Sequence, residues 1–289
     1  MPMKFLLSIL LSLPGALMAQ QKTVGINQTS IPPFVRQGDQ PLVGFQLFNN
    51  SKKDWTGTIH FQLVDTLQDQ PVDGWFFNQQ GNQYFTIEPA KKELIEFPIH
   101  IPFEFNKPTA WELRIKTDTS TLFTTGKLQL EPWKYAAEAT TPASDPEGPI
   151  VVKKTKRLIT KDGRTREELL TDNATVRIGD TLLVEIEMTK SKSRKIILIE
   201  QWPAGTQPNM VRTLSTHTGA SKVLQLSQEE LQLEWLSATD TPLKISYQLI
   251  ARYTGWFQIP PAVISGDELP APFIRSSYSS LHIEQRKLP

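Results

Sequence analysis

Apolar and polar residues alternate with a period of two along most of the chain. Ile59, Phe61 and Leu63 alternate with polar residues, and similar short runs follow, separated by polar turn clusters. This alternation is typical of half-buried β-strands, and no long helical pattern lies between the runs. The pattern therefore predicts an all-β chain built of antiparallel β-sandwiches rather than alternating strands and helices.

Two local motifs predict how these strands are joined or interrupted. Asp162 and Gly163 predict a two-residue hairpin turn, because glycine accepts the positive φ that such a turn needs. Ser227 is followed three residues later by Glu230, which is the spacing of a helix capping box. The segment 227–231 is therefore the best helix candidate, with two turns at most.

A proline-rich segment divides the strand pattern into two blocks. Residues 132–149 contain four prolines and little alternation, as expected of an extended linker. We therefore predict a β-sandwich over residues 20–131 and a second β-sandwich over residues 150–289.

A nine-residue motif occurs once in each block. The segments VRQGDQPLV (35–43) and VRIGDTLLV (176–184) agree at six of nine positions, and each runs into a strong strand pattern. The glycine is expected to take a turn conformation, and the aspartate to close the turn by accepting backbone hydrogen bonds. The repeat favours two related domains, while the alternative is that good turn chemistry arose twice. The residues concerned are Arg36, Gly38, Asp39, Arg177, Gly179 and Asp180.

The first residues have the pattern of an export signal. Lys4 precedes a short apolar run, residues 5–13, and small residues at 16–19 suit cleavage. The run is too short to span a bilayer. We predict a signal peptide over residues 1–19 and an exported protein, periplasmic or secreted; a buried N-terminal helix is the alternative.

Composition and charge exclude several classes of function. The chain has no cysteine, which excludes disulfides, thiolate nucleophiles and cysteine metal sites. Without residues 1–19 it carries 30 positive and 30 negative side chains, and this balance argues against nucleic-acid binding. Residues 20–131 sum to a charge of −2, and residues 150–289 to +4.

The motifs of catalysis and cofactor binding are missing from the sequence. It contains no Gly-x-Ser-x-Gly elbow and no glycine-rich phosphate loop. Glu185 and Glu187 share one strand face, where a solvated role is the simpler interpretation. We expect no enzyme activity, no cofactor and no metal site, since the four histidines lie far apart in the sequence: His60, His100, His217 and His282.

Two surface features are candidates for partner contacts. Trp75, Phe76 and Phe77 form an uninterrupted aromatic run, in which alternation leaves at least one ring outward; packing beneath a loop is the alternative. Residues 153–166 carry seven positive charges. They predict either the solvated face of a hairpin or a contact with an anion or polyanion.

The second block resembles the C-terminal domain of the bacterial α2-macroglobulin family. The match covers residues 150–188, the segment ILIEQWPAG (197–205) and the closing strands 247–284. The resemblance implies that several residues are structural signatures: Pro203, Gly205, Gly255, Pro260 and Pro261. It also implies immunoglobulin-like or fibronectin-like sandwiches of the macroglobulin type.

The first block is similar to the macroglobulin-type domain that precedes the thioester region of that family, through residues 32–51 and 85–102. In the family, a helical thioester domain lies between these two regions and carries Cys-x-x-Gln in covalent protease traps. Residues 132–149 stand in its place, and a chain without cysteine cannot form the thioester.

These features together predict a non-enzymatic, exported protein-binding module. The expected partner is a larger macroglobulin, an envelope protein or a protease, with the chain acting as a companion or an envelope adaptor. Two alternatives remain open: a small noncovalent endopeptidase inhibitor that uses residues 136–148, and a carbohydrate-binding or adhesive sandwich.

Overall fold

The computed structural model describes residues 24–133, 150–188, 195–209, 215–216, 220–236, 242–266 and 274–286. The predicted signal peptide, and the predicted linker from residue 134 onward, lie outside these residues. Within them the chain is almost entirely β-structure, so the predicted fold class is confirmed. No helix in the described part is long and apolar enough to cross a membrane.

The first block contains ten strands and one short 3-10 helix, η1. Their bounds are β1 Val24–Ser30, β2 Val35–Arg36, β3 Gln40–Asn49, β4 Trp55–Asp65, β5 Gln70–Pro71, η1 Asp73–Phe76, β6 Asn82–Ile87, β7 Lys91–Pro98, β8 Thr109–Lys116, β9 Thr121–Leu128 and β10 Leu130–Glu131.

The second block contains fourteen strands in its described residues. Their bounds are β11 Val151–Lys161, β12 Arg164–Leu169, β13 Ala174–Arg177, β14 Thr181–Met188, β15 Lys195–Gln201, β16 Thr206–Pro208, β17 Ser215–Thr216, β18 Ala220–Leu226, β19 Glu230–Leu236, β20 Leu243–Ala251, β21 Gly255–Ile259, β22 Val263–Gly266, β23 Ile274–Arg275 and β24 Ser279–Glu284.

The first block is a sandwich of two antiparallel layers. One layer has the order β5-β4-β8-β9, with β6 also paired to β4; in the other, β3 lies between β1 and β7. The inward residues of both layers form one buried core, which includes Phe45, Phe61, Phe97 and Leu113. Alternation along each strand explains this, because every second side chain points to the same face.

The second block has its own core between two further layers. One layer has the order β12-β11-β14-β20-β16, and the other has the order β18-β19-β15-β22-β23. Trp202, Trp235 and Tyr247 are among its largest fully buried side chains. Phe34, which precedes β2 in the first block, belongs to this second core.

Strands of both blocks also share one sheet. Its order is β1-β3-β21-β24-β13, and β3 meets β21 through two residue pairs, Gln40 with Trp256 and Pro41 with Gly255. The two sandwiches are therefore joined by backbone pairing as well as by the chain.

Two local predictions have different outcomes. Asp162 and Gly163 form the turn between β11 and β12 with φ values of 52° and 73°, so the predicted hairpin is confirmed. The predicted helix at 227–231 is wrong: the segment is the turn between β18 and β19, and Glu230 begins β19. The Ser227 hydroxyl accepts the Glu229 and Glu230 amides at 3.1 and 3.2 Å, so the capping chemistry serves a hairpin.

Candidate protein-binding surface

The segment around Arg36 joins the two sandwiches. Phe34 packs in the second core and Val35 in the first, because neighbouring residues of an extended chain point to opposite sides. The fully buried Arg36 donates hydrogen bonds to the carbonyl oxygens of Trp202 at 3.4 Å and Glu229 at 2.9 Å. Its guanidinium lies 4.9 Å from the centre of the Phe34 ring. Arg36 therefore connects its own block to two loops of the other.

Asp39 completes this junction from the same turn. One carboxylate oxygen accepts the Arg36 amide at 2.8 Å, and the other accepts the Gln258 amide of β21 at 2.8 Å. Burial raises the pKa of Asp39 to about 7, although these backbone hydrogen bonds and Arg36 act in the opposite direction. The residue is fully buried, so both sandwiches depend on its position.

The second copy of the motif forms the same turn at the surface. Asp180 accepts the Arg177 amide at 3.0 Å, and Gly179 has a φ of 89°, close to the 84° of Gly38. In each block, the strand in which the motif begins pairs in parallel with the last described strand of that block. These pairs are β2 with β10 and β13 with β24. Arg177 is exposed, so the repeat shares its geometry but not its burial.

Gly255 lies where the two blocks pair. Its φ is +132°, and an added Cβ would meet the Gln40 carbonyl oxygen and the Pro41 Cα. The backbones approach so closely there that only glycine fits without displacement. A residue predicted as a family signature therefore belongs to the interface between the sandwiches.

The other signature residues of the second block are buried around its turns. The Pro203 carbonyl accepts the Thr206 amide at 3.0 Å, and Gly205 leaves room for the Phe257 ring. Pro260 and Pro261 are also buried. Together these residues shape the ends of strands near the junction.

The aromatic run lies on the short helix η1 and its C-terminal residue. Phe76 is fully buried, whereas Trp75 is 57% exposed and Phe77 is 60% exposed. Phe77 takes a left-handed conformation, with φ of 51°, where it ends η1. The helix thus anchors one ring in the core and presents its two neighbours to solvent.

A cleft of about 640 Å³ lies beside these two exposed rings. Phe103, which is 66% exposed, forms another wall of it, and its ring lies over Gly38 of the junction turn. We call this space the apolar cleft. Its described lining is Pro71, Val72, Gly74, Trp75, Phe77, Pro102, Phe103 and Glu104.

A second cleft, of about 430 Å³, lies between the two blocks, and we call it the junction cleft. Phe77 lines it as well, with its ring 5.5 Å from that of His100. Across the cleft the Trp256 ring stacks on His282 at 4.3 Å, with an angle of 10° between the ring planes. Gln40, Gln79 and Gln80 add side-chain amides to the lining. Because both clefts include Phe77, they form one continuous surface across the junction.

This surface is made mainly of aromatic rings and side-chain amides. Clustered aromatic rings are enriched in protein interfaces. In the described part of the chain, no three histidine, aspartate or glutamate side chains are grouped as metal ligands would be. His60 bonds to Asn82 at 2.8 Å on a different face, and His217 lies outside the described residues.

Sequence patterns found part of this surface and missed the rest. Trp75 and Phe77 were found because they belong to an uninterrupted aromatic run. Phe103 and Trp256 were missed, since each lies in an ordinary strand or loop pattern far from residues 75–77 in the sequence. Only the folded chain brings residues 103 and 256 to the same surface as 77.

A buried ionic cluster was also missed. Glu200 accepts hydrogen bonds from Lys153 and from the Tyr247 hydroxyl, and Lys153 also donates to the Pro260 carbonyl at 2.7 Å. Burial raises the pKa of Glu200, and Lys153 opposes that rise. One of the seven cations in residues 153–166 therefore pairs with one oxygen of a buried carboxylate instead of facing solvent.

No protein-family model matches the chain, and no curated protein does either. Solved structures give low-scoring likenesses. The Escherichia coli α2-macroglobulin fragment from domain MG7 to the C-terminus is 14% identical, with a TM-score of 0.37 over 70% of this chain and 31% of that chain. A non-cellulosomal cohesin from Archaeoglobus fulgidus is 7% identical, with a TM-score of 0.32 over 48% and 94%. Red sea bream transglutaminase is 9% identical, with a TM-score of 0.28 over 92% and 32%.

The chain thus spans less than a third of the macroglobulin fragment that it matches. With TM-scores below 0.5, these likenesses are loose and assign neither a family nor a function. The described strands themselves establish an immunoglobulin-like, all-β architecture.

Proposed function

We propose that this chain is an exported, non-enzymatic protein-binding module whose partner occupies the apolar cleft and the junction cleft. The observation that carries the proposal is the grouping of four exposed aromatic side chains on one surface: Trp75, Phe77, Phe103 and Trp256. Exposed aromatic clusters rimmed by polar groups are typical of protein interfaces.

The hydrogen bonds across the junction support this proposal. Arg36 and Asp39 connect the two blocks through them, which favours clefts whose shape is set before a partner binds. A preformed surface loses less entropy on binding than a mobile one. The sequence motifs that resemble bacterial α2-macroglobulins make a larger macroglobulin the first partner to test, as a companion of this chain.

The proposal is tested with residues 20–289 immobilised and exposed to purified macroglobulin and to envelope extract. The double variant Trp75→Ser/Phe77→Ser removes two exposed rings and leaves the buried Phe76 in place. Tyr84→Ser is the matched control, because Tyr84 is 89% exposed and lines neither cleft.

We expect the unmodified chain and Tyr84→Ser to retain a partner protein. The double variant should bind that partner at least about tenfold more weakly. Equal retention by all three proteins would contradict the assignment of the surface, and so would the absence of any retained protein. Retention of a glycan instead of a protein would favour the carbohydrate-binding alternative.

A further inference from the structure

The hairpin of β11 and β12 presents three cations on one face of its tip. Lys161 pairs directly with Arg164, and Ile159 pairs with Arg166. Because paired residues and residues two apart share a face, the side chains of Lys161, Arg164 and Arg166 lie together. All three residues are exposed.

Two other cations of the same hairpin have carboxylate partners. Lys156 lies 2.7 Å from both Glu167 and Glu185, and Arg157 pairs with Glu168 at 2.5 Å. Among the residues that the structure describes, no carboxylate lies within ion-pair distance of the three tip cations. Like charges directly opposite each other destabilise a strand pair, so this arrangement lowers the stability of the hairpin.

The backbone of β12 is open along the same hairpin. β12 ends its sheet in the described strand order, and every residue in it is exposed. Since a two-residue turn makes Lys161 and Arg164 a hydrogen-bonded pair, the amide and carbonyl groups of Thr165, Glu167 and Leu169 face away from β11. The hydrogen bond from the Leu170 amide to the Thr155 carbonyl, at 2.9 Å, agrees with this alternation, because it places residue 170 among those whose backbone groups face β11.

We propose that the edge of β12 binds an extended acidic polypeptide segment of a partner. Its main chain would pair with Thr165, Glu167 and Leu169, and its carboxylates would face Lys161, Arg164 and Arg166. The open edge favours a polypeptide over an acidic polysaccharide or a lipid surface, because only a polypeptide offers the matching row of amides and carbonyls. A second copy of this chain is disfavoured, since two β12 edges would bring the same cations together.

The side-chain part of the proposal is tested by fluorescence anisotropy with two labelled eight-residue probes. One alternates glutamate and valine, and the other alternates lysine and valine. The variant Lys161→Gln/Arg164→Gln/Arg166→Gln is compared with Lys52→Gln/Lys91→Gln/Lys92→Gln, which removes the same charge from exposed positions of the first block.

We expect the acidic probe to bind the unmodified chain and the control variant equally, and the tip variant at least about tenfold more weakly. The basic probe should not bind. Equal weakening by both triple variants would show a general charge effect and overturn the proposal, and so would binding of both probes alike.

The backbone part is tested by hydrogen exchange and by Thr165→Pro. Proline there removes an amide that faces away from the hairpin, so β11 and β12 keep their own hydrogen bonds. We expect the acidic probe to slow exchange at 165, 167 and 169, and Thr165→Pro to abolish binding. Heparin and phosphatidylglycerol vesicles are tested as alternative ligands. The proposal would be overturned if either bound through the three cations while these amides stayed unprotected and the acidic probe did not bind.

Discussion

Asp39 and Asp180 occupy the same position of the same turn motif, yet only Asp39 is fully buried. Each accepts the amide of the arginine three residues earlier. Asp39 also accepts an amide from the other block, whereas Asp180 lies 3.7 Å from Arg157 and 3.5 Å from Arg286 at the surface. The same turn therefore has a fully buried carboxylate in the first block and a carboxylate at the surface in the second, because the surroundings of the two turns differ.

Asp39 is predicted to make stability depend on pH. Burial raises its pKa to about 7 in the folded chain, from 3.8 ordinarily, so the folded state binds the proton more tightly than the unfolded state. The free energy of unfolding should therefore rise as pH falls from about 7 to about 4, by at most about 1.4 kcal/mol per pH unit from this group. The measurement is urea denaturation across this range for the unmodified chain and Asp39→Asn.

Asp39→Asn should lack this contribution, since an amide does not titrate, and Asp180→Asn should keep it. The difference in unfolding free energy between the unmodified chain and Asp39→Asn is the quantity to plot against pH. A flat difference would contradict the assigned pKa.

Among the elements, β3 and β21 make the backbone contact of the junction. It consists of two residue pairs, and Gly255 is in one of them. The first residue of β21 therefore sets how closely the two sandwiches approach.

Gly255→Ala is predicted to destabilise the chain by about 3 kcal/mol. The added methyl group would overlap the Gln40 carbonyl oxygen and lie 2.7 Å from the Pro41 Cα, at a φ of +132° that alanine disfavours. Thermal unfolding followed by circular dichroism measures the effect. Gly74→Ala is the control, because no heavy atom lies within 4 Å of its added Cβ; a comparable loss in both variants would refute the argument from close approach.

Strands and turns were predictable where their sequence signal comes from neighbouring residues. Alternating side chains indicate strands, and the Asp162–Gly163 pair indicates its own hairpin, because each signal comes from adjacent residues. The 227–231 segment failed for the same reason: a serine that accepts two following amides begins a helix or a hairpin turn equally well. The pairing of β18 with β19 decided between them.

For the whole molecule, the junction implies that the two sandwiches unfold together. Phe34 is buried in the core of the other block, and Arg36 holds carbonyl groups of two of its loops. Unfolding one block would therefore expose groups that the other buries.

We predict a single calorimetric transition for residues 20–289, and two for Arg36→Ala. The substitution leaves the Trp202 and Glu229 carbonyl oxygens without this donor and should cost about 3 kcal/mol. Arg177→Ala, at the exposed equivalent position, should keep one transition near the original temperature. Two well-separated transitions in the unmodified chain would disprove the coupling.

The sequence by itself determined the strands, the all-β class and the turn of each Gly-Asp motif, since these depend on residues that are neighbours in the chain. Only the tertiary structure decided which motif is buried, that Phe77 lines two clefts, and that Trp256 belongs to the same surface. These features join residues such as 39 with 258 and 36 with 202. Burial and binding surfaces arise from such contacts between residues that are distant in the sequence. An alternating pattern of apolar residues specifies which side chains are buried, but it does not specify which residues they pack against.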